Sequence, residues 1–336
     1  MKKTIALLMT LVMLSCIVAG CSGNQNNNAP QDNDPANTAA PAQTDEPQVV
    51  YEKTYKSTFS TSITSMNPYC TEFTSDYNFI SNIAEGLVET DIYGRPSPCM
   101  AESWEHNDDF SVWTFHIRPD VYWVDCSGSK TEYKVTADDF VADIRYIADP
   151  ANNASGISTI RNVIAGLYDY YYALVDIDDG TDIGKTRDEV VASFDETVGV
   201  KAVDEYTVEY TLSGPCPYFL SYAQLDMTLP VEQAFLDSVG EDFGTSKETM
   251  LYNGGYYISA WDLDKQFVLT KNENYWDADN VALQAINITI TTDANTILGM
   301  YQTGELSLYN VPNDQLAQYA GDPTLVTNKL LRNTFI

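Results

Sequence analysis

The sequence predicts a mixed α/β fold, and three observations carry that expectation. Val112–Ile117 and Ala285–Thr291 alternate apolar and polar residues with the period of two that marks a half-buried strand. Thr136-Ala-Asp-Asp is followed by Phe140, Val141, Ile144 and Ile147 at helical spacing. A capping hydroxyl, acids in the first turn and an apolar stripe together specify an amphipathic helix. The two kinds of pattern then recur in turn along the chain from Tyr51 onward.

The first twenty residues read as a leader rather than as part of the fold. Lys2 and Lys3 precede an apolar run from Ile5 to Val18, and Val18-Ala19-Gly20 supplies small residues at a cleavage point. The run is shorter than the ~20 residues that a membrane span needs. A cysteine directly after Ala-Gly has the form of a bacterial lipoprotein signal. That resemblance implies cleavage before Cys21, lipid on its thiol, and a chain anchored to the membrane rather than spanning it. Residues 21–50 then read as a disordered tether, rich in Asn, Gln, Asp, Ala and Pro and without aromatic residues before Tyr51. As a flexible coil such a segment spans about 30 Å.

Beyond the tether the elements follow in order. Thr54–Ser62 is β-prone, and Asn67-Pro68 ends it. Asp76–Val88 carries Phe79, Ile80, Ile83, Ala84 and Leu87 on one helical face, with Asp76 as the expected cap. A turn at Tyr93–Pro96 leads to a strand at Ala101–Trp104, then to Val112–Ile117. The Thr136 helix is expected to stop at Asp149-Pro150. Ile157–Leu167 is a second helix candidate that Tyr168–Ala173 extends, with Asp176–Asp182 as an acidic loop; Arg187–Phe194 is a shorter helix. Val198–Val203 and Tyr206–Leu212 form a hairpin around Asp204-Glu205. A short helix after Pro215 and another at Glu232–Val239 precede strands at Tyr257–Trp261, Gln266–Lys271 and Ala285–Thr291. Asp293 caps a helix through Tyr301, and Gly304-Glu305-Leu306 turns into a short strand.

Charge excludes one class of partner. Forty-eight acids against eighteen bases give a formal charge of −30, which repels nucleic acid and anionic membrane surfaces. Removing the leader takes two lysines and no acid. Catalytic residues are not expected either. His106 lies in a polar turn, His116 alternates with core aromatics on a strand, and no nucleophile elbow, zinc-protease motif or P-loop occurs. No metal site or cofactor is expected. Of six cysteines, Cys16 lies in the leader and Cys21 at its end. Cys70, Cys99, Cys126 and Cys216 allow three complete pairings, which export permits and spacing does not demand; a Cys70–Cys99 bridge is one option.

A set of short patches resembles the family 5 solute-binding proteins, the extracytoplasmic receptors of oligopeptide, dipeptide and nickel ABC importers. They are Asn67-Pro68, Ala84-Glu85-Gly86-Leu87, Gly94-x-Pro96-x-Pro98, Ala101-Glu102-Ser103-Trp104 and Trp113–Arg118. Val135–Phe140, Pro217-Tyr218-Phe219, Asn253-Gly254-Gly255-Tyr256, Asn272-x-x-Tyr275-Trp276 and Tyr301-x-x-Gly304-Glu305 complete the set. One departure occurs, where Trp123-Val124-Asp125-Cys126-Ser127-Gly128 lengthens a hairpin loop.

The resemblance implies a class II lobe of the periplasmic-binding-protein type: a mixed sheet with helices from residues 51–91 and 214–336. An accessory α+β subdomain is expected from 92–213. It implies oligopeptide ligands and ABC permease subunits with their ATPase as partners. Ligand contact is expected at Glu72, Phe73 and Thr74, at Tyr252, Asn253 and Gly254, and at Tyr275 and Trp276. The logic is β-augmentation, in which an extended peptide is held by main-chain bonds and Gly254-Gly255 permits close approach. Trp104, Trp113 and Phe115 are expected to be packed aromatics. Leu325–Phe335 would be a crossover strand to a second lobe, which is expected to be missing, with binding impaired. A surface sensor or interaction lipoprotein, a non-functional truncated product and a hydrolase are the competing readings.

Overall fold

The computed structural model describes residues 52–327. The leader, Cys21, the tether and most of the expected crossover strand lie outside the described residues.

The chain order begins β1 (Thr54–Phe59), α1 (Thr74–Ile83), β2 (Val88–Thr90), β3 (Pro96–Pro98), β4 (Ala101–His106), β5 (Val112–Ile117), β6 (Tyr122–Val124) and β7 (Lys130–Lys134). It continues with α2 (Ala137–Ala148), α3 (Ile157–Ile160), α4 (Leu167–Asp178), α5 (Arg187–Ala192), α6 (Phe194–Thr197), β8 (Val200–Asp204) and β9 (Thr207–Thr211). Then come α7 (Leu220–Ala223), α8 (Gln233–Val239), β10 (Tyr256–Asp262), β11 (Gln266–Lys271), β12 (Ala285–Ile290) and α9 (Ala294–Gln302).

Two four-stranded sheets organise these elements. The first has the order β1-β12-β11-β10 and is mixed. β1 runs parallel to β12 with Tyr55 opposite Ile286, while β11 is antiparallel to both β12 and β10. Ile286, Ile288 and Ile290 share one face with Phe267 and Leu269, and α1 lays Phe79, Ile80 and Ile83 on it. Phe79 meets Phe59 and Phe267 edge-on, each at 5.3 Å, an arrangement that suits the ring quadrupoles.

The second sheet, β4-β5-β9-β8, is antiparallel throughout. Trp113, Phe115 and Ile117 face inward from β5 and are buried, as their alternation requires. α2 covers this face with Phe140, Val141, Ile144 and Ile147, all buried. Its start is closed by the Thr136 N–H, which donates to Asp139 Oδ2 at 2.9 Å.

Several expectations need correction. α1 begins at Thr74, because Thr71 Oγ1 accepts the Phe73 N–H at 3.2 Å and turns the chain into the helix. Asp76 therefore lies in the first turn, where it accepts from Thr71 Oγ1 at 2.6 Å. α1 also ends at Ile83, and Val88–Thr90 is a strand paired with Pro96–Pro98. The helix expected from Ile157 breaks at Gly166, whose φ is 73°. A Cβ there would stand 1.8 Å from the Thr197 carbonyl oxygen, so only glycine fits. The main helix of this region, α4, starts after that turn and runs to Asp178, through part of the expected acidic loop. No strand follows Gly304 among the described residues; Ser307 donates its N–H to the Lys56 carbonyl and accepts the Lys56 N–H on Oγ, both at 2.9 Å. His116, by contrast, follows its alternation with Phe115 and Ile117 and points away from the core on β5, its side chain 46% exposed and 3.9 Å from Glu105. Cys70, Cys99, Cys126 and Cys216 are all free thiols, so the Cys70–Cys99 bridge is absent.

Candidate functional site

α1 divides the expected site residues into two groups. Glu72–Thr74 lie at its start, while its end meets Tyr252–Gly254 and the Tyr275-Trp276 pair. Ten residues at 1.5 Å rise separate the two groups by about 15 Å.

The first group is open. Glu72, Phe73 and Thr74 are exposed, Phe73 to 70%. The N–H and C=O of Glu72 have no protein partner among the described residues, and no side chain caps the start of α1. Phe73 has extended backbone, with φ −94° and ψ 116°. Phe73 itself is paired, its N–H to Thr71 Oγ1 and its C=O to the Asp76 N–H at 3.0 Å, so the exposed N–H and C=O of Glu72 are what an added strand can use. The segment is held firmly from behind. Asn67 donates to Tyr146 Oη at 3.1 Å, and Tyr77 donates its hydroxyl to the Thr71 carbonyl at 2.9 Å. Ser155 Oγ lies 3.4 Å from the same carbonyl. Burial pushes the Tyr146 hydroxyl up to about 12 and the Cys70 thiol above its usual range, so both stay neutral at ordinary pH.

The second group is closed. Tyr252 is fully buried and donates its hydroxyl to the Lys247 carbonyl at 2.9 Å. Its N–H and C=O exchange hydrogen bonds with Val124, both at 2.9 Å. Asn253, 1% exposed, accepts the Glu85 N–H at 2.9 Å and donates to the Glu85 carbonyl at 3.0 Å. Gly254 donates its N–H to Ile83 O at 3.1 Å and accepts from the Asn272 amide at 3.0 Å. A Cβ on Gly254 would stand 2.7 Å from the Ile83 carbonyl carbon. The close approach expected for a ligand is thus spent on the end of α1. β-augmentation finds no open backbone at Tyr252 or Gly254.

Tyr275 and Trp276 also turn inward, and the residue they serve is Glu85. Its carboxylate accepts the Tyr275 hydroxyl, the Trp276 indole N–H at 2.9 Å and the Cys99 thiol at 2.8 Å. Arg118 stacks over Trp276 at 3.7 Å from the ring centroid and donates Nε to the Cys99 carbonyl at 2.7 Å. Burial and the adjacent carboxylate raise both the Cys99 thiol and the Tyr275 hydroxyl far above their usual ranges. Glu85 therefore ties the first sheet's Asn272–Trp276 loop to the entrance of the second sheet. Sequence reasoning held Glu85 only as one letter of the Ala-Glu-Gly-Leu patch. Its partners lie 14, 190 and 191 residues away, beyond any local pattern.

A recess of about 260 Å³ lies elsewhere, against Lys56, Asn287, Thr289 and Glu305. Among the described residues, no group of three or more His, Cys, Asp or Glu side chains could hold a metal ion. No described helix is long and apolar enough to cross a membrane.

Comparison with known proteins decides the family. Residues 95–334 match the bacterial extracellular solute-binding proteins, family 5. The chain belongs to this family. The oligopeptide-binding protein AliB of Streptococcus pneumoniae is 34% identical over 263 residues, which is 76% of this chain and 37% of that protein. The periplasmic oligopeptide-binding protein OppA of Salmonella typhimurium is 32% identical over 249 residues, covering 74% and 41%. Among solved structures, peptide-bound OppA of Listeria monocytogenes superposes with a TM-score of 0.67 at 28% identity, covering 81% of this chain and 49% of that one. The substrate-binding domain of a Bacillus anthracis oligopeptide ABC transporter gives 0.68 at 25% identity, covering 82% and 48%. This family 5 chain thus spans less than half the length of the relatives it matches. The family is one of extracytoplasmic solute-binding proteins.

Proposed function

We propose that this chain serves as the oligopeptide-binding component of an ABC importer, held to the outer face of the cell membrane by lipid on Cys21. Glu72–Thr74 supplies its peptide-contacting main chain. The side chains of Tyr252, Asn253, Tyr275 and Trp276 serve the scaffold behind that surface. Residues 51–91 and 214–336 act as one lobe, and 92–213 act as an accessory subdomain.

The observation that carries the reading is the exposed segment at Glu72–Phe73, in which the Glu72 N–H and C=O have no partner among the described residues, in a chain of this family. Main-chain pairing accepts many peptide sequences, because each residue offers the same N–H and C=O. Peptide-binding relatives and a peptide-bound neighbour support the ligand class. Permease subunits with their ATPase follow as partners from the transporter neighbour.

Tested alone, these 336 residues are expected to bind peptide weakly, because the open backbone at Glu72 offers few main-chain bonds. Isothermal titration with a defined peptide library tests this; the expected dissociation constant is above the micromolar range. Micromolar or tighter binding refutes the weak-binding part, and no binding at millimolar peptide refutes the ligand class. Labelling with a palmitate analogue tests the anchor, and Cys21→Ala should abolish the label.

A further inference from the structure

The core under α2 contains two carboxylates that the proposed function does not use. Asp139 and Asp143 stand one helical turn apart on the same inward face, 4% and 0% exposed. Asp139 Oδ2 accepts the Trp123 indole N–H at 3.1 Å and the Thr136 N–H at 2.9 Å. Both oxygens of Asp143 are buried without a hydrogen-bond partner.

Among the described residues no cation compensates this pair. Arg145, on the same helix, is committed to Asp195 at 2.6 Å. Lys201, on β8 packed against α2, is committed to Glu209 at 2.6 Å. Tyr210 from β9 and Tyr69 from the loop after β1 face Asp143 with neutral hydroxyls. Glu232 and Asp138 add like charge beside Asp139. The turn at Asp226–Thr228 brings another acid, Asp226, and the far end of α2 meets Tyr170 and Asp149. Two buried carboxylates at this separation cannot both be charged without a counter-ion, because desolvation and mutual repulsion act in the same direction.

We propose that Asp139 and Asp143 form a pH-sensitive switch: the folded core holds the pair protonated, and proton loss loosens α2 from its neighbours. The neighbour that matters is the loop leading to Glu72. Tyr146 of α2 accepts from Asn67, and its ring lies 5.1 Å from Tyr69, so movement of α2 reaches that loop directly. This last link rests on the reading of Glu72–Thr74 as the ligand surface; the switch itself does not. Burial moves both acids in the same direction, Asp139 up to about 7 and Asp143 higher than an ordinary carboxylate.

The sign follows from linkage. The folded state binds more protons than the unfolded state above the ordinary carboxylate range near ~4. Stability is therefore fullest at low pH and falls as pH rises toward and past 7. Each proton so held raises the unfolding constant about tenfold per pH unit.

Urea unfolding of the full chain between pH 5 and 8 tests the switch. Stability should fall with rising pH, and the slope should lessen by about one proton in Asp143→Asn. It should lessen further in the Asp139→Asn/Asp143→Asn double variant, to the remainder that acids such as Asp226 and Glu89, also raised by burial, contribute. A double variant that keeps the wild-type slope overturns the proposal. Should a variant fail to fold, carboxyl carbon NMR of the wild type decides. A buried aspartate resonance still protonated at pH 6 supports the switch, and complete ionisation of every aspartate by pH 5 overturns it. Amide exchange at residues 67–73 should lose protection as pH rises in the wild type only. Neither readout needs a peptide, so a failure of the switch is separate from a failure of the binding reading.

Discussion

The two ends of α1 show the same chemistry used in opposite ways. At its start, the exposed segment Glu72–Thr74 leaves the Glu72 N–H and C=O unpaired among the described residues and an apolar ring 70% exposed. At its end, Tyr252–Gly254 and Tyr275-Trp276 carry aromatic rings, amides and a glycine pair, the residue types that binding sites favour. Every polar tip there is nonetheless taken by a protein partner. Residue type alone does not mark a ligand surface; unfilled hydrogen-bonding capacity does.

The largest expected effect tests the closed end. Gly254→Ala puts a methyl group 2.7 Å from Ile83 C and 2.8 Å from Ala84 N, both backbone atoms that cannot step aside. Overpacking of this kind costs about 3 kcal/mol, and urea unfolding should show it. A neutral result would mean that the glycine is kept for a ligand.

Glu85→Ala comes next. It strips three donors of their acceptor, and the half-buried position lowers the loss to about 2 kcal/mol. Cys99, sealed by that carboxylate, should then react with a thiol reagent in the folded protein. Unchanged stability and an inert Cys99 would break the view of Glu85 as a clamp.

At the open end the same measurement should barely move. Phe73→Ala removes a ring that is mostly in water, so stability should change by less than about 0.5 kcal/mol. Peptide affinity should fall instead. A large loss of stability would show that Phe73 packs on something and is not a free surface.

The strands were legible because period-two alternation survives in a sheet with one buried face: Trp113, Phe115 and Ile117 went inward as their spacing required. The α2 helix was legible from its cap and first-turn acids. α4 was legible only in part: Tyr168–Ala173 read as helix, but Asp176–Asp182 resembles a loop, and only the backbone shows that Gly166 resets the helix start. The short Val88–Thr90 strand was hidden because it continues the apolar run of α1 and pairs with two prolines. The exposure of Glu72–Thr74, which the proposed contact needs, could not be read from the sequence and comes from the structure. The closure of Tyr252–Trp276 could not be read either, because Glu85 collects its partners from across the fold.

Amide hydrogen exchange with and without millimolar peptide tests the central claim most directly. The account predicts new protection at Glu72–Thr74 and none at Tyr252–Gly254 or Tyr275-Trp276. Protection confined to the second group, with Glu72–Thr74 unchanged, would contradict it.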